Sequence, residues 1–171
     1  MTWILANKIT SRIFERLTLE MWWTILPILI LLIILYRSIR LLYNLEDKGE
    51  AAMTVKAIGH QWYWSYELGS GEGSFDSYIL PLRDLSLGQY RLLEVDNRLL
   101  LPKGKTIQII VTSADVIHRW TVPALRIKID GVPGRLNQIP LLSLCPAVIY
   151  GQCSEICGAN HSFMPIVVET V

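Results

Sequence analysis

The sequence has no marked excess of either charge and none of the short motifs that bind phosphate or nucleic acid. Lysine and arginine number 16, against 15 aspartate and glutamate residues, so the formal net charge is +1. No Lys/Arg run and no glycine-rich phosphate loop interrupts this balance. We therefore expect no nucleic-acid partner.

Cysteine is scarce, and its number is odd. The three cysteines, Cys145, Cys153 and Cys157, cannot all pair within the chain, which argues against a pure disulfide framework. None lies near the N-terminus, and no small-residue cleavage site follows the apolar run, so we expect neither a lipid-anchor cysteine nor a signal peptide. Metal binding is the better first interpretation of these thiols.

Charged residues are also few. They make up 18% of the 171 residues, hydrophobic residues make up 51%, and the mean hydropathy is +0.36, which indicates one ordinary domain associated with a membrane. Residues 21–36 carry no charge. With Arg37 and Arg40 extending outward by their aliphatic stems, residues 17–45 are predicted to form one transmembrane helix. A buried core helix is the alternative, but the run has no polar face.

The segment before this helix alternates apolar and charged residues. Residues 1–16 are predicted to form a short amphipathic segment on the membrane surface, too short to span it. Basic residues stand both before and after the apolar run, so charge does not decide its orientation.

From residue 52 onward the pattern changes to short β-rich runs punctuated by Gly, Pro, Asp and Asn. Many short strands indicate a β-sandwich or a Greek-key barrel over residues 52–171. Residues 69–74 are a predicted hairpin tip. The predicted strands are 54–66, 91–95, 106–112, 118–122, 135–138, 148–152 and 164–169.

The most informative segment is residues 150–164. It places Cys153, Cys157, His161 and Met164 at spacings of four, four and three. Two thiolates, an imidazole and a thioether suit copper, whereas zinc sites rarely use methionine. His118 is the candidate for a second imidazole, because a β-barrel can bring two distant loops together at one end.

Other interpretations of these residues stay open. Cys153 and Cys157 could form a local disulfide, or a Cys2His2 zinc site could leave Met164 without a role. A mononuclear blue-copper site needs only two His, one Cys and one Met, which would make Cys153 surplus. A second thiolate four residues away favours two coppers with bridging sulfurs.

At this point the chain resembles a known family, subunit 2 of cytochrome c oxidase, and especially its mitochondrial form. The resemblance covers nearly everything from residue 20 onward. It rests on WTILP at 23–27, GHQWYWSYE at 59–67, LLEVDN at 92–97, PGRLNQ at 133–138 and the whole run 150–169.

The resemblance implies a mainly β fold, with a single transmembrane helix followed by a cupredoxin-like Greek-key β-barrel that holds a dinuclear copper centre. It implies that the backbone carbonyl of Glu155 binds copper and that its side chain reaches a magnesium ion shared with the catalytic subunit. The implied side-chain copper ligands are His118, Cys153, Cys157, His161 and Met164.

By the same resemblance, the chain would accept electrons from cytochrome c near Trp62 and pass them to the haem-copper catalytic subunit, subunit 1, for oxygen reduction and proton pumping. Glu20 matches a carboxylate at the mouth of a proton path, although a lone Glu at a helix start is commonly a helix N-terminal charge. Other subunits and the mitochondrial inner membrane, with the copper domain facing the intermembrane space, complete this expectation. The rival from another class is a membrane-tethered copper chaperone.

Three features depart from the family pattern. Members usually carry two membrane helices, and the first has no counterpart here. Ala114 stands where an acidic docking residue is common, and Arg126 stands where glycine is usual.

Several residues are expected to have ordinary packing roles: His60, Tyr63, Trp64 and Tyr66 within the barrel, and Cys145 as a small buried hydrophobe.

Overall fold

The computed structural model describes residues 16–46, 51–69 and 73–171. The chain divides into two compact units, Met1–Asp47 and Lys48–Val171, which we describe separately. The predicted amphipathic segment 1–16 lies almost entirely outside the described residues, as do residues 70–72 of the predicted hairpin tip.

The first unit contains one long helix, α1 (Leu17–Glu46), of 30 residues. A helix of this length is about 45 Å long, which exceeds the ~30 Å hydrocarbon thickness of a bilayer. Within Leu17–Asn44 the most apolar 18-residue window has a mean hydropathy of 2.3, and none of that window is buried. Pro27 lies inside the helix, and the Thr24 hydroxyl donates to the Glu20 carbonyl at 2.8 Å. The predicted span 17–45 coincides with this helix; its crossing of a membrane stays a prediction.

Over its described residues, 51–69 and 73–171, the second unit has ten strands in three sheets. A five-stranded sheet has the order β3-β2-β1-β5-β8, a three-stranded sheet the order β4-β10-β9, and β6 pairs with β7. The strands are β1 (Met53–His60), β2 (Tyr63–Leu68), β3 (Ser74–Ser77), β4 (Leu99–Leu101), β5 (Thr106–Ser113), β6 (His118–Val122), β7 (Ile127–Gly131), β8 (Asn137–Leu142), β9 (Ala147–Gln152) and β10 (Pro165–Thr170).

One hydrophobic core joins the sheets. Side chains alternate across each strand, so β1 buries Val55 and Ala57 and turns the residues between them towards the surface. Fully burying a Val side chain such as that of Val55 stabilises the fold by about 1.5–3 kcal/mol. The other fully buried members include Trp64, Tyr66, Leu99, Leu101, Ile107, Ile109, Val111, Trp120, Val122, Ile166 and Val168.

The predicted single strand 54–66 is wrong. The chain reverses at Gln61 and Trp62, so β1 and β2 form an antiparallel hairpin in which His60 pairs with Tyr63. The rings of His60 and Tyr63 stack with centroids 4.5 Å apart. Neither turn residue is a Gly, Pro, Asn or Asp, so the usual turn signals were missing. This turn matters because it delivers Trp62 to one end of the barrel.

The predicted strand 91–95 is also wrong. Residues 91–93 form a turn in which Leu92 has a φ of 68°, and Val95 makes only an isolated bridge with Ile79. The Glu94 carboxylate is buried and forms an ion pair with Arg98 at 2.6 Å. Glu94 therefore does not follow the alternation of buried apolar and exposed polar residues that a strand would show. The predicted strand 135–138 lies two residues too early, and the prediction missed β3, β4 and β7.

Candidate metal centre

Most of the predicted ligands lie in one loop that joins two paired strands. We call residues 153–164, between β9 and β10, the ligand loop. Gln152 and Pro165 are register partners in the antiparallel pair, so both ends of the loop start from the same point of a rigid sheet. His118 comes from elsewhere in the chain, as the first residue of β6. The fold therefore supplies the ligands from two separate elements.

Cys157 lies at the centre of the predicted ligand set. Its Sγ is 3.4 Å from His161 Nδ1 and 3.5 Å from Met164 Sδ. The two cysteine sulfurs are 4.0 Å apart, and Cys153 Sγ is 3.9 Å from His118 Nδ1. The structure thus brings all the predicted side-chain ligands together. His118, Met164, Cys157 and Cys153 are 0%, 1%, 4% and 6% exposed, and His161 is half-buried.

His118 is oriented by a carboxylate on its far side. Its Nε2 lies 2.8 Å from Asp115 Oδ1, which leaves Nδ1 facing Cys153. Asp115 also accepts hydrogen bonds from the backbone N–H groups of Gln61 and Val116. A Cβ at Gly59 would lie 2.8 Å from His118 Cδ2, so only glycine leaves room for the ring. A carboxylate behind a metal-binding imidazole is a common way to fix the ring and its tautomer.

The electrostatics of the two thiols favour bound cations. Burial raises the pKa of the Cys153 thiol, but the contact with His118 and the backbone hydrogen bonds from Arg119 and Glu155 together outweigh burial, and the pKa falls to about 7. Burial and the neighbouring charge of Cys153 raise the pKa of Cys157. Burial lowers the pKa of His118, but its contacts with Cys153 and Asp115 together raise it by more. The pKa of His118 therefore lies above its usual value. One thiolate therefore forms readily, and the second needs positive charge beside it.

The donor set fits copper better than the alternatives. A disulfide requires sulfurs about 2.05 Å apart, whereas Cys153 Sγ and Cys157 Sγ are 4.0 Å apart. A Cys2His2 zinc site would ignore Met164, yet its sulfur is buried against Cys157 Sγ. Two thiols, two imidazoles and a thioether are the soft and borderline ligands that copper prefers.

The β1–β2 turn meets the ligand loop at the Cys157 carbonyl. Gln61 Nε2 donates to this oxygen at 2.8 Å and Trp62 Nε1 donates at 3.2 Å. The next residue, Gly158, has a φ of +124°, and a Cβ there would lie 2.9 Å from Trp62 Cζ2. Glycine at this position therefore permits both the backbone conformation and the close approach of the indole.

Glu155 faces both the site and an ion pair. Its carbonyl oxygen lies 3.4 Å from Cys153 Sγ, a position consistent with the predicted carbonyl ligand. Its carboxylate Oε2 lies 2.9 Å from Arg119 Nη2. A carboxylate oxygen is a ligand type that magnesium accepts, but a guanidinium already lies against this one.

Sequence reasoning missed the residues that support the ligands. Gln61, Asp115, Arg119 and the close-contact glycines Gly59 and Gly158 were not predicted to support the ligands. The available signal for these supporting residues was that Gly59, His60 and Gln61 directly precede an aromatic run in the sequence. Two of these supporting contacts join distant parts of the sequence: Gln61 with Asp115, 54 positions apart, and Gln61 with Cys157, 96 positions apart.

The remaining expectations have mixed outcomes. Trp64 and Tyr66 are fully buried, and Trp120 Nε1 donates to the Tyr66 hydroxyl at 3.3 Å, so their packing role is confirmed. Cys145 was expected to be buried and is exposed, because its segment leaves β8 before β9 begins. The role of Glu20, in the first turn of α1, stays a prediction.

Comparisons with known proteins agree with this geometry. Residues 53–171 match the family described as cytochrome c oxidase subunit II, periplasmic domain. Cytochrome c oxidase subunit 2 of Drosophila yakuba is 58% identical over 166 residues, covering 96% of this chain and 73% of the relative. The Drosophila ambigua protein is 59% identical over 154 residues, covering 90% and 67%. The crystal structure of the periplasmic domain of subunit II of cytochrome oxidase from Bradyrhizobium japonicum aligns with a TM-score of 0.67 at 46% identity, covering 72% of this chain and 86% of that one.

Proposed function

Because this chain belongs to the cytochrome c oxidase subunit II family, we propose that it is the subunit through which electrons enter a haem-copper oxidase. Its cupredoxin-like domain would receive electrons from cytochrome c and deliver them to the catalytic subunit, subunit 1, for oxygen reduction and proton pumping. Helix α1 would hold the chain in the mitochondrial inner membrane, with the β-domain in the intermembrane space. The relatives from Drosophila and the apolar surface of α1 support this placement.

One observation carries the proposal: two buried thiols, two imidazoles and a thioether converge around Cys157. We assign two copper ions to this set, held by the side chains of His118, Cys153, Cys157, His161 and Met164 and by the Glu155 carbonyl. Copper bound there would supply one-electron exchange. The protein's part is to hold the ligands in place before and after that exchange, which the paired ends of the ligand loop and Asp115 favour.

Trp62 is the proposed point of electron acceptance. Its indole is half-buried, so one part reaches the surface while Nε1 donates to the Cys157 carbonyl at 3.2 Å. The same carbonyl receives the Gln61 side chain at 2.8 Å, which holds the turn against the ligand loop. This arrangement connects the surface to a proposed copper ligand through a single hydrogen bond.

The buried ligands argue against a copper chaperone. A carrier that hands its metal to another protein needs exposed thiols, whereas Cys153 and Cys157 are at most 6% exposed. A mononuclear blue-copper carrier would need only one of these thiols. The proximity of the second favours the dinuclear assignment.

Magnesium at the Glu155 carboxylate remains a proposal of lesser support. The ion pair with Arg119 uses Oε2, so a cation would have to bind the other oxygen beside a positive charge. The catalytic subunit would need to supply the remaining ligands.

Copper stoichiometry tests the main proposal. Full-length chain in detergent should bind two coppers that share one unpaired electron, measured by metal analysis and electron paramagnetic resonance. Cys153→Ser should reduce this to one copper at most, because the second thiolate is lost, while Cys145→Ser, the matched control outside the site, should keep both. One zinc or one copper per wild-type chain would contradict the dinuclear assignment.

A further inference from the structure

Arg119 lies between two carboxylates next to the ligand loop. Its Nη2 is 2.9 Å from Glu155 Oε2, and its Nε forms a close ion pair with Asp130 Oδ1 on β7. The three side chains are partly exposed, at 28% for Arg119, 33% for Glu155 and 45% for Asp130. One guanidinium therefore forms ion pairs with two carboxylates, and the three side chains together carry a net charge of −1.

The same residue also binds the loop through its backbone. The Ser154 N–H donates to the Arg119 carbonyl at 3.1 Å. Arg119 thus contacts two consecutive residues of the ligand loop, Ser154 by its main chain and Glu155 by its side chain. It directly follows His118 in β6, so it ties the loop to the strand that carries the distant imidazole.

We infer that Arg119 is the resident counter-ion of the Glu155 carboxylate, which holds the ligand loop without a divalent cation and competes with such a cation for Glu155. The inference rests on the proposed function, because its tests use the assembled oxidase and, in one readout, the copper signal. A partly exposed ion pair contributes little to global stability, so its consequences should be found in cation affinity and loop position. Arginine suits this role because its planar fork can contact two carboxylates at once.

The competition has a clear electrostatic direction. A divalent cation on the Glu155 carboxylate would lie near a fixed positive charge, whereas removing that charge leaves two carboxylates and a net charge of −2 in the group. The Coulomb repulsion between the Arg119 guanidinium and a divalent cation ~5 Å away is reduced by water and by salt. It corresponds to about a tenfold change in the affinity of Glu155 for that cation.

The experiment is a Mn²⁺ titration of the assembled oxidase containing this chain, followed by paramagnetic resonance. Arg119→Gln should bind Mn²⁺ about tenfold more tightly than the wild type. Arg119→Lys, which keeps the charge, should stay close to the wild type. Arg83→Gln is the matched control, since it removes an exposed arginine with its own carboxylate partner, Asp84. Equal Mn²⁺ affinity in the wild type and Arg119→Gln overturns the inference.

Loop position gives a second, independent readout. After chelation of divalent cations, the copper signal should stay unchanged in the wild type but shift in Arg119→Gln, and added Mg²⁺ should restore it. A copper signal in Arg119→Gln that ignores the chelator also overturns the inference. If Arg119→Gln does not assemble, Asp130→Asn replaces it. With Asp130 neutral, Arg119 pairs with Glu155 alone, so Mn²⁺ should bind severalfold more weakly than in the wild type. Unchanged Mn²⁺ binding in Asp130→Asn would overturn the inference. Loss of copper from the wild type would count against the proposed function, while the Mn²⁺ comparison would still report on Arg119.

Discussion

At the scale of single residues, Trp62 offers the sharpest separation of function from packing. Truncating a core Trp to Ala costs about 3–5 kcal/mol, so Trp62→Ala would confuse unfolding with lost electron transfer. Trp62→Phe keeps most of the apolar volume and removes the N–H that donates to Cys157. We expect this variant to keep both coppers and to accept electrons from cytochrome c more than about tenfold more slowly, a barrier increase of about 1.4 kcal/mol.

Stopped-flow reduction of copper by cytochrome c, normalised to copper content, measures this rate. Tyr90→Phe is the control, because Tyr90 is an exposed aromatic that packs edge-on against Tyr150. A normal rate in Trp62→Phe would remove Trp62 from the pathway and leave it a packing role.

The side chains that converge at the candidate metal centre were predictable from the sequence, whereas the contacts that support them were not. Cys153, Cys157, His161 and Met164 lie within one short segment of the sequence. Their spacing therefore indicates a set of soft and borderline metal ligands without any knowledge of distant contacts. The carboxylate behind His118 is also local, only three residues away, but a nearby Asp has many other possible roles. The Gln61 contact with Cys157 joins residues 96 positions apart, and no spacing rule predicts it.

At the scale of elements, α1 makes the most direct prediction. Residues 21–36 carry no charge, and the large hydrophobic side chains of the helix are exposed within its unit, so it should stay in the membrane during alkaline carbonate extraction. Leu31→Arg is the informative variant, since a charge at the centre of a span costs about 2.5–3.5 kcal/mol on insertion scales. We expect a larger released fraction for this variant on immunoblots, and Leu87→Arg, an exposed position in the β-domain, should behave like the wild type. Release of the wild-type chain would contradict the span.

Elements were predicted well where the alternation of apolar residues was regular. The strand β6 was predicted with its observed ends, His118 and Val122. Prediction failed where a tertiary contact overrode the local pattern: Glu94 turns inward to Arg98, and the β1–β2 hairpin turns on Gln61 and Trp62 without a turn-forming residue. The short strands β3 and β4 have four and three residues, too few for a periodic signal.

At the scale of the whole molecule, the proposed association with cytochrome c would depend on where a few charged residues lie. Residues 46–171 carry 13 acidic and 11 basic residues, a net charge of −2, so attraction to a basic partner must be local. Asp96 is exposed, and its Oδ1 accepts from the backbone N–H groups of Tyr78 and Asn97. Asp96→Asn keeps an acceptor oxygen for these bonds and removes only the charge.

We expect Asp96→Asn to slow association about two- to threefold at low ionic strength and to have little effect at high salt, where screening removes the field. Stopped-flow association rates across a salt series measure this. Asp84→Asn serves as the control at another exposed carboxylate. An equal slowing at low and high salt would show that Asp96 acts through the conformation of its turn.

The uneven burial of the ligands has a consequence for the order of biogenesis. His118, Cys153, Cys157 and Met164 are closed off by the barrel, and His161 alone among the predicted side-chain ligands stands at the margin. Metal delivered to a finished barrel would therefore arrive past His161. The neighbouring cleft is lined by Trp62, Asn160 and Phe163, the same side from which an electron donor would approach Trp62. If copper enters past His161 and cytochrome c docks at Trp62, as proposed, both would use one face of the domain, and metal loading and electron acceptance would exclude each other.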